Sequence, residues 1–325
     1  MKVAIFGAGA IGGLIGARLA ERTDAEIGLV ARGPHLKAMQ ENGLTVRAED
    51  GETTVKVRAC EDPAELGPQD YVIIALKAHS VPAILPSLQP LLGPHTAVVT
   101  AQNGLPWWYF HRIGGEHEGR RIEAVDPGGA IWEAIGPERA IGCVVHPAAD
   151  IEAPGIIRHI EGERLPLGEP SGEKSERALG LSKLLVEAGF RAPVRPQIRS
   201  EIWVKLWGNL SFNPISALTG ATLAGICADD GARSVARDMM LEAEAIAKAL
   251  GITFPIDVYK RIAGAAAVGE HKTSMLQDLE LGRPLEIDAL VTSVQEMGRL
   301  TGIATPTIDM VLGLLRLRAA TPLGG

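Results

Sequence analysis

The segment EIWVKLWGNLSFNP, residues 201–214, makes two demands that conflict in a buried helix. Ile202, Trp203, Val204, Leu206, Trp207, Leu210 and Phe212 supply enough apolar surface to bury the helix on most sides. Lys205, Asn209 and Asn213 recur at i, i+4 and i+8, which puts an ammonium and two amides in one row on one face. Burying a charge and unpaired amides is costly, so the row should face water or a polar ligand, as the wall of a substrate site would. A lysine that only snorkels to solvent is the plainer alternative. A second cluster, HKTSMLQDLELGRPLEID at 271–288, offers Ser274 at a helix start and Glu286 beyond the Gly282–Pro284 break. A carboxylate near Lys205 would hold its ammonium charged despite burial. Glu286 could equally be a solvated helix acid.

These side chains need elements to position them, and the N-terminus supplies the clearest one. KVAIF, 2–6, is a short apolar run suited to a buried parallel strand. GAGAIG follows, with Gly7, Gly9 and Gly12 in GxGxxG spacing, and a helical pattern then runs through Leu14, Ile15 and Leu19. AEIGLVAR, 25–32, reads as the next strand. The stretch Gly7, Ala8, Gly9, Ala10, Ile11 and Gly12 is therefore expected to cradle a dinucleotide. Gly7 permits the turn, Gly9 lets the backbone approach a pyrophosphate, and Gly12 lets helix and strand pack closely. NAD sites commonly carry an acid at the end of the second strand. Here Val30, Ala31 and Arg32 stand instead, and an arginine can clamp a 2′-phosphate. NADPH is the expected cofactor.

The alternation continues with YVIIAL, 71–76, ending at Lys77, and AVVTAQNG, 97–104, ending at Gln102 and Asn103. Ligands of open α/β sheets bind beyond the carboxyl ends of the strands, which places Lys77 and Asn103 well for cofactor or substrate. Residues 107–170 read as β-rich, 173–189 as a helix and 190–196 as a closing strand. From 197 helical periodicity takes over, at 199–218, 229–250 and 274–301. The expected architecture is a Rossmann-type α/β dinucleotide domain, 1–196, followed by an all-α domain, 197–325, that completes the substrate cleft.

Composition narrows the function. The 325 residues are 46% hydrophobic and 22% charged, as in ordinary globular proteins. A net charge of −7 argues against nucleic acid or an anionic membrane as partner. No apolar run approaches the roughly 20 residues of a membrane helix. Cys60, Cys143 and Cys227 lie far apart without a CxxC pair, which disfavours zinc and disulfides and suits a reducing cytoplasm. No metal-ligand cluster is visible.

Taken together, GAGAIG, Arg32, LKA at 76–78, QNG at 102–104, KLWGNLSFNP at 205–214 and SMLQDLELGRPLEID at 274–288 resemble the ketopantoate reductase (2-dehydropantoate 2-reductase) family over nearly the whole chain. The resemblance implies NADPH-dependent reduction of ketopantoate to pantoate, as in pantothenate biosynthesis. It implies Lys205 as general acid, Glu286 as the partner that also orients substrate, Ser274 on the substrate carboxylate and Asn209 and Asn213 on its hydroxyl. Lys77 and Asn103 would lie at the nicotinamide end. On this reading the ammonium of Lys205 stabilises the charge developing on the carbonyl oxygen and donates the proton. The partner is a small 2-oxo acid, with a homodimer as the assembly to test. Two features depart from the family pattern. Some members carry asparagine where this chain has Leu223, which opens the site to another 2-oxo acid. Trp107 and Trp108 follow Asn103 and either cap the cleft or anchor the core. Two rival functions remain: a β-hydroxyacid or imine reductase using the same lysine–asparagine helix, and a non-catalytic NADPH sensor.

Overall fold

The computed structural model describes residues 1–321, which divide into two compact units. The first comprises residues 1–102, 106–121 and 128–198. The second comprises 103–105, 122–127 and the chain from 199 onward.

The first unit is built on a seven-stranded sheet. Its strands are β1 (Lys2–Phe6), β2 (Glu26–Val30), β5 (Arg58–Cys60), β6 (Gln69–Ile74), β7 (Leu92–Thr100), β8 (Ala140–Cys143) and β11 (Leu167–Gly168), in the order β11-β8-β7-β6-β1-β2-β5. All neighbours pair in parallel except the edge strand β11. Such a sheet is covered on both faces, so its strands are near-continuous apolar runs. Four of the five residues of both β1 and β2 are buried. The helices of this unit are α1 (Ala10–Arg22), α2 (Gly33–Asn42), α3 (Val81–Leu88), α4 (Ala130–Ile135) and α5 (Glu176–Glu187).

A second, four-stranded sheet was not anticipated. It orders β4-β3-β10-β9 from β3 (Leu44–Ala48), β4 (Gly51–Val55), β9 (Ala148–Ala153) and β10 (Ile156–Glu161). Ile157 of β10 is fully buried and reaches α1 at Gly13, where a Cβ would stand 3.0 Å from its side chain. Two expected segments differ, and a third forms as expected. Residues 107–139 are turns and short helices rather than strands, with Trp107, Trp108, Tyr109 and Phe110 buried among them. The 190–196 stretch makes only isolated bridges, Arg191 with Arg164 and Val194 with Leu167. The 173–189 helix is α5, capped by Ser175, whose hydroxyl accepts the Ala178 N–H.

In the second unit the helices are α6 (Ile198–Thr219), α7 (Leu223–Ala228), α8 (Asp230–Ala249), α9 (Val258–Val268), α10 (Ser274–Glu280), α11 (Ser293–Thr301) and α12 (Pro306–Ala320). The core side of α6 carries Trp203, Leu206, Trp207 and Leu210, all nearly or fully buried. Trp207 stacks on Phe254 at 4.1 Å and donates its indole N–H to Met240 O of α8. The expected helix over 274–301 is broken. After α10 the chain turns at Gly282 (φ 63°), runs without regular secondary structure through Glu286, and re-enters as a π-helical segment, Asp288–Thr292, that leads into α11. Among the described residues no helix is long and apolar enough to cross a membrane.

Candidate active site

The glycine stretch sits where β1 turns into α1, beside the point at which strand order reverses between β2 and β6. Each glycine there has its own reason. Gly7 has φ +95°, and a Cβ would come 2.5 Å from Leu76. A Cβ on Gly12 would run into the Gly7 carbonyl and stand 3.0 Å from Ile5 and Ala75. A Cβ on Gly9, the N-cap of α1, would meet nothing within 4 Å. That open space lies at a helix start with no acidic residue in its first turn. The first N–H groups of a helix have no intrahelical acceptor, so the stretch fits a pyrophosphate.

Arg32 stands exposed at the end of β2 as the N-cap residue of α2. Among the described residues nothing accepts a hydrogen bond from its guanidinium. Sequence reasoning missed His35, one turn on. Its Nδ1 accepts the Gly155 N–H at 3.0 Å, its Nε2 is buried without a protein partner, and it lies beside Ala8 of the glycine stretch. Burial pushes its pKa below the usual histidine value, against a smaller opposing effect of the Ala8 backbone. Lys77 follows β6 and caps a short helical turn, its carbonyl accepting the Ser80 N–H. Gln102 follows β7 and donates to Leu76 O at 2.6 Å, tying the two strand ends together.

The chain leaves this unit at Gln102, and Asn103 belongs to the helical one. There Asn103 Oδ1 accepts a hydrogen bond from Lys205 Nζ at 2.7 Å, joining residues 102 positions apart. The turn that presents Asn103 is fixed from the other side. Gly104 has φ +91°, and a Cβ on it would overlap the Ala289 backbone, whose carbonyl oxygen accepts the Leu105 N–H at 3.1 Å. Ala289 lies in the π-helical segment, a distortion frequent at functional sites. Glu286 is half-buried, immediately ahead of that segment. Asn209 is half-buried and Asn213 buried on the row with Lys205, and among the described residues neither amide has a protein hydrogen-bond partner. Ser274 is the exposed first residue of α10; the cap is Thr273, whose hydroxyl accepts the Leu276 N–H. Leu223 is the first residue of α7 and donates its N–H to His271 O.

The two tryptophans are core anchors. Trp107 is 3% exposed and packs edge-on against Trp132 at 6.2 Å; Trp108 is 1% exposed and lies over Gly142 of β8. Cys60, Cys143 and Cys227 are buried.

Comparison with known proteins accounts for both halves of this arrangement. The family description "Ketopantoate reductase PanE/ApbA" matches residues 3–172, and "Ketopantoate reductase PanE/ApbA C terminal" matches residues 197–319. The chain belongs to the ketopantoate reductase family. As a member it is an oxidoreductase of a family that uses NAD(P)H on a small 2-oxo acid. It is 63% identical over 316 residues to a 2-dehydropantoate 2-reductase of Mesorhizobium japonicum, with 97% of each chain covered. A crystal structure of 2-dehydropantoate 2-reductase from Geobacter metallireducens superposes with TM-score 0.86 at 32% identity, covering 99% of this chain and all of that one. A crystallised Ralstonia solanacearum protein superposes with TM-score 0.92 at 45% identity, covering 98% and 97%.

Proposed function

We propose that this chain reduces 2-dehydropantoate (ketopantoate) to pantoate with NADPH, the reductive step of pantothenate formation. The observation that carries the reading is the 2.7 Å hydrogen bond from Lys205 to Asn103, beside two asparagine amides with no protein partner among the described residues. An ammonium has three N–H donors. Asn103 takes one and thereby fixes the direction of the side chain. The glycine stretch from Gly7 to Gly12 holds the pyrophosphate, Arg32 the 2′-phosphate, and Lys77 and Asn103 the nicotinamide end. When bound, NADPH would supply the hydride that reduces the ketone carbon. Lys205 stabilises the oxygen on which charge develops and hands it a proton. Glu286 keeps Lys205 in its ammonium form and orients the substrate, Ser274 binds the carboxylate, and Asn209 and Asn213 hold the hydroxyl.

The test is NADPH oxidation by wild type, Lys205→Ala and Glu286→Ala against ketopantoate and other 2-oxo acids. The panel includes 2-oxoisovalerate, because Leu223 offers a distal hydroxyl no partner. Lys205→Ala should lower kcat by roughly 10²–10⁴-fold, the range for a positioned acid, with NADPH binding unchanged. The double variant should be non-additive with Glu286→Ala. Near-normal kcat in Lys205→Ala would overturn the mechanism. Wild-type protein that binds NADPH and reduces no acid of the panel would be a sensor instead.

A further inference from the structure

Gly208 stands in the middle of α6, where glycine is about 1 kcal/mol less favourable than alanine. Arg261 explains its presence. A Cβ at 208 would overlap the Arg261 Nη2 and come 2.9 Å from its Cζ, so the guanidinium lies directly on the helix surface that the glycine leaves bare. Arg261 is carried in the first turn of α9, which packs on α7; Cys227 of α7 donates its thiol hydrogen to Ile262 O. Among the described residues no group accepts a hydrogen bond from the guanidinium and none forms an ion pair with it. Asp257, one turn earlier, accepts the Lys260 N–H as the cap of α9. Burial pulls the Arg261 pKa below the ordinary arginine value, with only the Cys227 thiol opposing.

Arginine nevertheless stays cationic. A half-buried cation without an anion is costly, and here the helix gives up a side chain to admit it. An anionic ligand would remove that cost. The position points the same way. Gly208 is one turn past Lys205 and adjacent to Asn209, and Cys227 is one turn past Leu223 on α7.

We propose that Arg261 forms a carboxylate-binding subsite of the helical unit, its guanidinium fork taking the two oxygens of an anionic group on the 2-oxo acid substrate. The inference rests on the reading of the site as a 2-oxo acid reductase. A planar guanidinium matches a carboxylate in bidentate fashion, which would add to the single hydrogen bond assigned to the hydroxyl of Ser274. The anion is either ketopantoate's own carboxylate or the distal carboxylate of a dicarboxylic 2-oxo acid.

Steady-state kinetics and thermal denaturation of wild type, Arg261→Met and Arg261→Lys test this. Arg261→Met should raise KM for ketopantoate by about 10- to 100-fold, the size of a lost charge-assisted hydrogen bond. kcat should move much less, KM for NADPH should not move, and Arg261→Lys should recover part of the loss. The melting temperature of Arg261→Met should hold or rise, because an unpaired charge has been removed; a structural role would lower it. Oxalate, which cannot be reduced, should raise the wild-type melting temperature and leave that of Arg261→Met unchanged. If the KM increase falls on 2-oxoglutarate alone, the subsite serves a distal carboxylate. Wild-type KM for both acids together with a wild-type oxalate shift in Arg261→Met would overturn the proposal. The assigned substrate fails separately: wild type that leaves ketopantoate unreduced, while oxalate still protects through Arg261, would sink ketopantoate and keep the subsite.

Discussion

On the proposed reading, cofactor choice rests on one side chain. Arg32 is exposed at the end of β2, has no hydrogen-bond partner among the described residues, and stands where an acid would bind the ribose hydroxyls of NAD. His35 also lies beside the glycine stretch, and burial lowers its pKa, which disfavours its cationic form. Arg32 is the cation proposed to read a 2′-phosphate. Arg32→Ala should weaken NADPH binding by about 1.5–3 kcal/mol, the range for charge-assisted hydrogen bonds, and barely change NADH binding. Isothermal titration with both cofactors measures this. Equal losses would mean that Arg32 does not discriminate between them.

One turn and one helical distortion set the direction of the proposed acid, Lys205. The π-helical segment Asp288–Thr292 offers the Ala289 carbonyl to the Leu105 N–H, which fixes the turn at Gly104 and so the amide of Asn103 that Lys205 grips. A side chain at 104 would need φ near +91° and would strike the Ala289 backbone. Gly104→Ala should therefore lower kcat by about 10- to 100-fold, since a misplacement on the order of 1 Å can cost that much. Gly313→Ala, where a Cβ in α12 meets nothing within 4 Å, should leave both kinetics and stability intact or slightly improved. Unchanged kcat in Gly104→Ala would detach the turn from the chemistry. This part of the site was not legible in the sequence. The glycine stretch, Arg32 and the Lys205 row were, because periodicity and spacing declare them. The bond between positions 103 and 205 depends on tertiary approach, and the only local sign of Arg261 was an unexplained glycine at 208. The same division holds for the fold. Strands such as VAIF and YVII announce themselves by uninterrupted burial. β4 and β9, GETTV and AADIEA, are exposed or half-exposed and carry little apolar pattern. Aromatic residues at 107–110 imitate a strand while packing into the core from turns.

The chain carries a net charge of −7, yet both of its proposed ligands are anions. Attraction must therefore be local, and the two units divide it. On the proposed reading, Arg32 and the start of α1, in the first unit, would serve the dinucleotide, while Lys205 and Arg261, in the second, would serve the 2-oxo acid. This division has a thermodynamic signature that does not depend on turnover. A ligand at about 100 times its Kd stabilises the folded state by about 2.7 kcal/mol, which for a unit of this size raises the melting temperature by roughly 5–10 °C. NADPH at that excess should give Lys205→Ala the full wild-type shift although its kcat has collapsed. Arg32→Ala, at the same NADPH concentration, should show a much smaller shift, and with NADH the two proteins should respond alike. Differential scanning calorimetry of wild type and both variants, with each cofactor in turn, makes the comparison. If Lys205→Ala lost the NADPH shift, the lysine would be part of what holds the cofactor, and its loss of activity could no longer be assigned to proton transfer.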